Sequence, residues 1–180
     1  KDMLHIYFNI YRSKYEAYPF LSDKSDDLRC DFEIFTDEIA STVGLLRSKI
    51  EDESLQDELL RICELVYHIN PSLRTFVSVT EDEILWLENC TNRLFEDVKG
   101  RCQKFVLNQG CEGAGIAHIL RTKFKALVRM LYRYNYSGNE VPNILFDFAN
   151  LLSGYFFNLA LKLNQINDID EVEFISRNDK

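Results

Sequence analysis

The sequence reads as an all-α protein, an up-and-down bundle of five helices. Only seven Gly and three Pro punctuate 180 residues. Apolar residues recur at three- and four-residue spacing over long stretches, the period of an amphipathic helix. The stretches are joined by short connections, which favour antiparallel neighbours. A hydrophobic content of 46% fills one core, so the chain is expected to form a single domain. Its parts would be an irregular segment over 1–30, a helical bundle over 31–164 and a tail over 165–180.

The first helix is expected from about Asp31 to Lys49, with Ile34, Phe35, Ile39, Val43 and Leu46 at apolar positions. The second runs from about Leu55 to Ile69 and stops at "NPS", where Pro71 disfavours helix at Asn70. The third opens at "TEDE", a capping box of Thr80 and Glu83, and ends near Lys99 before Gly100. The fourth covers about Gly113 to Tyr134 and turns Leu120, Phe124, Leu127 and Leu131 inward. The fifth starts at Pro142 and runs to about Asn164. It is apolar nearly all round, the mark of a buried helix. Before the first helix, "HIYFNIY" alternates weakly and "FLSDKSDD" reads as a polar loop.

The net charge of −8 argues against a nucleic-acid binder, which normally carries a broad basic face. A membrane span is not expected, because Asp147 and Lys162 interrupt the most apolar run. No secretory signal is visible, and a start at Lys leaves room for a removed transit peptide. Five cysteines without a CxxC pair read as reduced thiols of an intracellular protein, cytoplasmic or in an organellar (mitochondrial) matrix. His5, His68 and His118 are isolated, so no zinc site is expected.

One local feature runs against the acidic balance. "HILRTKFKALVR" places Arg121, Lys125 and Arg129 at successive i, i+4 steps after His118, with no carboxylate in the stretch. The stripe reads either as a solvated helix face or as an anion grip. By residue type, Phe105 reads as a core aromatic and His118 as a satisfied structural histidine. Asn150, inside an apolar helix, reads as an amide with a specific partner.

Three blocks in register resemble the trimeric ATP:corrinoid adenosyltransferases, whose fold is a ferritin-like five-helix bundle. They are "SDDLRCDFEIFTDEIASTVGLLRS", "KFVLNQGCEGAGIAHILRTKFKALVR" and "ANLLSGYFFNLALKLN", with "VTEDEILWLE" between the first two. Together they span about Ser25 to Phe174. The resemblance implies transfer of the 5′-deoxyadenosyl group of ATP to the cobalt of a reduced cobalamin, with Mg²⁺, in sites between subunits of a homotrimer. It implies that Arg121 grips the nucleotide and pairs with Asp37 across a subunit boundary. Lys125 and Arg129 stand at phosphate-holding arginines, and Asn150 at a nucleotide-binding asparagine. Phe105 stands where a phenylalanine blocks the lower cobalt ligand. Asn9 and Lys14 fall in "FNIYRSK" (Phe8 to Lys14), which replaces a glycine-rich phosphate loop and has no Gly.

The chain also departs from the family pattern at Ala126 and Val128, which replace an Arg and a Glu, and at Gly154, which replaces an Asp. Two functions are therefore carried forward. One is corrinoid adenosylation. The other is a non-catalytic relative that keeps the trimeric bundle and binds a corrinoid, another ligand or a protein partner.

Overall fold

The computed structural model describes residues 9–101 and 104–179. Five helices follow one another: α1 (Leu28–Ser48), α2 (Glu53–Ile69), α3 (Glu81–Val98), α4 (Glu112–Tyr136) and α5 (Asn143–Ile166). Phe8, His5, Cys102 and most of "HIYFNIY" lie outside the described residues.

Local chemistry sets the helix starts. α1 begins earlier than expected because the Asp27 carboxylate accepts from the Arg29 N–H at 3.1 Å. Asp52 does the same for Leu55 at 2.9 Å. The Thr80–Glu83 capping box forms in both directions, at 3.2 and 2.9 Å. Pro142 stands at the N-cap of α5, one position before the first helical turn where the sequence put it.

Polar contacts give the helix directions. Arg47 Nε donates to the Gln56 carbonyl at one end of the α1–α2 pair, and Asn70 donates to the Glu33 carbonyl at the other, so the pair is antiparallel. Lys123–Glu38 and Lys49–Glu112 do the same for α1 and α4. α5 is antiparallel to α4 but parallel to α3, where Asn158 reaches the Thr91 carbonyl and Lys162 pairs with Asp97. The bundle is up-and-down as expected. Its sequential neighbours α3 and α4 are nonetheless separated, because α5 packs against both.

By length and composition α5 is apolar enough to cross a membrane, despite Asp147 and Lys162. In the structure it is the core: Phe148, Leu152, Tyr155, Phe156 and Leu159 are fully buried. Phe156 stacks on Phe124 of α4 with ring centroids 5.6 Å apart.

Two polar networks tie this core to its surroundings. Glu58, on α2, accepts from Arg93 at 2.7 and 2.8 Å and from the Tyr155 hydroxyl at 2.6 Å. Burial, then Glu58, pushes the Cys90 thiol up to about 12, so it stays protonated and inert. At the opposite end of α1, Arg74 binds Asp23 at 2.7 Å and Glu33 at 2.5 Å, and lies 3.4 Å over the Phe20 ring. That clamp fixes the segment before α1 to the bundle.

Removing the Tyr155 hydroxyl leaves a buried carboxylate short of one donor. Tyr155→Phe is expected to cost about 1–2 kcal/mol in urea unfolding, with the helical circular dichroism unchanged.

Candidate functional site

α4 and α5 form one wall of a large cavity, and the segment joining α3 to α4 forms the other. The cavity has a volume of about 600 Å³ and is lined by Lys104, Phe105, Val106, Asn108, Arg121, Lys125, Ser153, Gly154 and Phe157. The helical repeat puts Arg121 and Lys125 on one face of α4, and Ser153 and Phe157 on one face of α5. Ser153 Oγ donates to the Arg121 carbonyl at 3.1 Å, which sets the two faces in register.

The cations and the apolar groups divide this space. Arg121 is half-buried, and its Nη2 donates weakly to Asn108 Oδ1 at 3.4 Å. Its Nε is buried without a partner, and among the described residues no carboxylate pairs with it or with Lys125. A guanidinium left in that state has donors to offer an anion. Lys104 pairs with Glu173 at 3.1 Å on the rim. Phe105 is 78% exposed, so it is not the core aromatic that its residue type suggests. With Val106 and Phe157 it presents a flat apolar surface. The arrangement suits a ligand that is anionic at one end and broad and apolar at the other.

Other sequence candidates lie elsewhere. Asp37 is exposed on α1 and accepts from the Tyr67 hydroxyl at 2.9 Å. Arg129 does not line the main cavity; it borders a separate depression with Phe35, Ala126, Met130 and Arg133. Asn150 is exposed and donates to the Phe146 carbonyl of its own helix at 2.9 Å, so the buried-amide argument for it fails. The buried amides of α5 are Asn158 and Asn164. Asn9 is exposed, Lys14 Nζ stacks 5.0 Å over Tyr15, and neither lines the main cavity. The sequence also missed Phe157 and Ser153, whose signal was their shared face with Asn150 on an otherwise buried helix. Among the described residues no His, Cys, Asp or Glu cluster would hold a metal ion.

His118 is buried at 3% exposure, yet neither ring nitrogen has a partner, against the expectation of a satisfied histidine. Its ring meets Phe157 edge-on at 6.2 Å. Burial, and then the neighbouring Arg121, push its pKa down to about 4, so the ring is neutral at pH 7.

A family model described as cobalamin adenosyltransferase matches residues 23–163. A corrinoid adenosyltransferase of Bacillus subtilis (strain 168) is 27% identical over 158 residues, 83% of this chain and 81% of that one. A variant PduO-type ATP:corrinoid adenosyltransferase from Lactobacillus reuteri, complexed with cobalamin and ATP, superposes with a TM-score of 0.74. It is 24% identical, with 86% of this chain and 87% of that one covered. Another variant, complexed with ATP, gives 0.72 at 24% identity, covering 83% and 88%. At these identities the structural likeness speaks for the fold.

Because the folded state holds the His118 pKa below its ordinary 6.5, it resists protonation. The stability it contributes is present above pH 6.5 and drains as pH falls from 6.5 towards 4. Between pH 7 and 5, unfolding should become easier by on the order of 2 kcal/mol through this residue. Asp27, held down to about 2 chiefly by its hydrogen bond to Arg29, acts only at lower pH. His118→Gln should flatten the urea midpoint between pH 7 and 5; an unchanged slope would show that the ring titrates normally.

Proposed function

The chain belongs to the cobalamin adenosyltransferase family, and from that premise we propose that it transfers the 5′-deoxyadenosyl group of ATP to a reduced corrinoid. One observation carries the reading: a single cavity joins unpaired cations on α4 to the exposed Phe105 surface opposite. The reduced cobalt supplies the nucleophile, and ATP supplies the transferred group with triphosphate as leaving group. Arg121 and Lys125 hold phosphate oxygens, and Asn108 steadies the Arg121 guanidinium. Phe105, Val106 and Phe157 keep water from one corrin face, which favours loss of the lower cobalt ligand. Mg²⁺ enters with the triphosphate, since the described residues offer no carboxylate cluster for it.

The active assembly is proposed to be a homotrimer. Asp37 faces outward and Arg121 has no carboxylate partner among the described residues, which supports an ion pair between copies. Free thiols at Cys30, Cys63, Cys90 and Cys111 fit a reducing, intracellular setting. A second reading is favoured by the glycine-free segment over residues 9–14: a relative that binds corrinoid without adenosylating it. The backbone N–H cradle that glycines permit is replaced there by ordinary side chains.

Calorimetry with ATP and Mg²⁺, followed by assay with reduced cobalamin, separates the two. Adenosylation with ATP binding supports the first reading; corrinoid binding with no ATP heat supports the second. Arg121→Ala should weaken ATP binding by roughly thirtyfold or more, the loss of a charge-assisted partner. Phe105→Ala should leave ATP affinity intact and abolish the spectral change that marks loss of the lower ligand.

A further inference from the structure

Residues 169–174 follow α5 and lie beyond the stretch matched by the family model. They do not trail from the bundle. Val106 and Glu173 form an antiparallel bridge, with Leu107 N–H donating to the Val172 carbonyl and Phe174 N–H to the Phe105 carbonyl, both at 2.8 Å. The bridge therefore grips the backbone on both sides of Val106, between two residues that flank the cavity wall.

Side chains lock the same register. Glu171, whose side chain is 7% exposed, sits 3.6 Å from Arg101 and accepts from Asn164 Nδ2 at 3.1 Å. Arg101 also donates to the Ile169 carbonyl. Asn164, fully buried, donates to the Gln109 carbonyl at 3.0 Å and accepts from the Cys111 N–H at 3.0 Å. Gly110 passes this amide at φ +129°, and a Cβ there would fall 2.0 Å from Asn164 Oδ1. Gln109 Nε2 reaches the Asp170 carbonyl at 3.1 Å. Arg101 is thus fastened to the strap, and residues 109–111 to the strap and the end of α5.

Surface connections are ordinarily more mobile than the elements they join, and these buried polar bonds tie this one down. It restrains a loop whose side chains Lys104, Phe105 and Asn108 project into the cavity. We infer that residues 169–174 are a strap, locked by Glu171, Arg101 and Asn164, that positions Phe105 and its neighbours for the corrinoid side of the site. These are positioning residues: none of the three lines the cavity. The inference rests on the corrinoid reading above for the identity of what Phe105 meets. An exposed aromatic on an unrestrained loop would sample many orientations, and a small displacement of such a wall is costly to binding.

The test compares wild type, Glu171→Ala, Glu171→Gln and Phe174→Pro in the full chain. Phe174→Pro removes one bridge donor without touching the buried amides. Three readouts apply: amide hydrogen exchange over 104–109, spectral titration with hydroxocobalamin, and ATP affinity by calorimetry. Glu171→Ala and Phe174→Pro should speed exchange over 104–109 and weaken corrinoid binding by about tenfold. ATP affinity should fall by no more than about threefold, because the loop carries only Asn108 of the phosphate grip and its bond to Arg121 is long. Helices α1, α4 and α5 should stay protected, with Glu171→Gln closer to wild type. If Glu171→Ala fails to fold, Phe174→Pro decides. Unchanged exchange would show that the strap does not hold the loop. Faster exchange with unchanged corrinoid affinity would show that it does not position the site, and equal losses for both ligands would make its role merely structural. A wild type that binds neither ligand sinks the adenosyltransferase reading and the corrinoid half of this one together; wild-type binding with unaffected variants sinks the strap alone.

Discussion

The structure depends on finding a place for α5. A helix of 24 residues that is apolar over most of its circumference must be covered over most of it. In its middle turns only the stripe of Asp147, Asn150 and Gly154 stays exposed. It is placed between α3 and α4, parallel to the first and antiparallel to the second. Helices adjacent in sequence are thereby forced apart, and the connection from α3 to α4 has to travel past the end of α5. That detour is the segment carrying Lys104, Phe105 and Asn108. The cavity is a consequence of core packing: it opens where the detour leaves the groove between α4 and α5.

Two kinds of buried polar group follow from this plan. Glu58, Tyr155, Asn158 and Asn164 have partners at normal distances, and each joins one helix to another element. Among the described residues, Arg121 Nε and both His118 nitrogens are buried without partners one turn apart on α4, and Ser72 Oγ and Arg101 Nε share that state elsewhere. A buried unmet donor costs about 1–3 kcal/mol, so a protein does not accumulate such groups at random. Satisfied groups sit where the bundle needs fastening. Among the unsatisfied groups, Arg121 lines the cavity and His118 a separate depression, whereas Ser72 and Arg101 line neither.

Much of the bundle was legible because it is written in local chemistry. The Thr80–Glu83 box and the period of Leu120, Phe124, Leu127 and Leu131 act within a few residues, and they hold in the structure. Arg121 and Lys125 stood out as a stripe and Phe105 through the resemblance alone, and the fold brings all three to one cavity. Asn150 misled because an all-apolar helix does not reveal which of its polar residues face out; Asn164, at the same helix's end, is the buried one. Arg129 misled for a related reason, since two helical turns beyond Arg121 the stripe has left the cavity. The tail was invisible: its pairing with residues 105–107 depends on where α5 ends, and short bridges between distant segments have no periodic signal.

In the proposed reading, the glycine-free segment over residues 9–14 changes how a triphosphate is held. Backbone N–H groups are fixed by the fold and lose little freedom on binding. Lys125 is a long exposed cation, and ordering it costs side-chain entropy that a peptide N–H does not. It also offers a point charge where an arginine would offer a fork. A grip built from Arg121 and Lys125 leans on long-range attraction more than on shaped hydrogen bonds, and such attraction between exposed charges is screened by salt within a Debye length. Arg121, half-buried beside Asn108, is screened less, so in the proposed adenosyltransferase reading the phosphate end of the site depends on this one side chain more heavily than on Lys125.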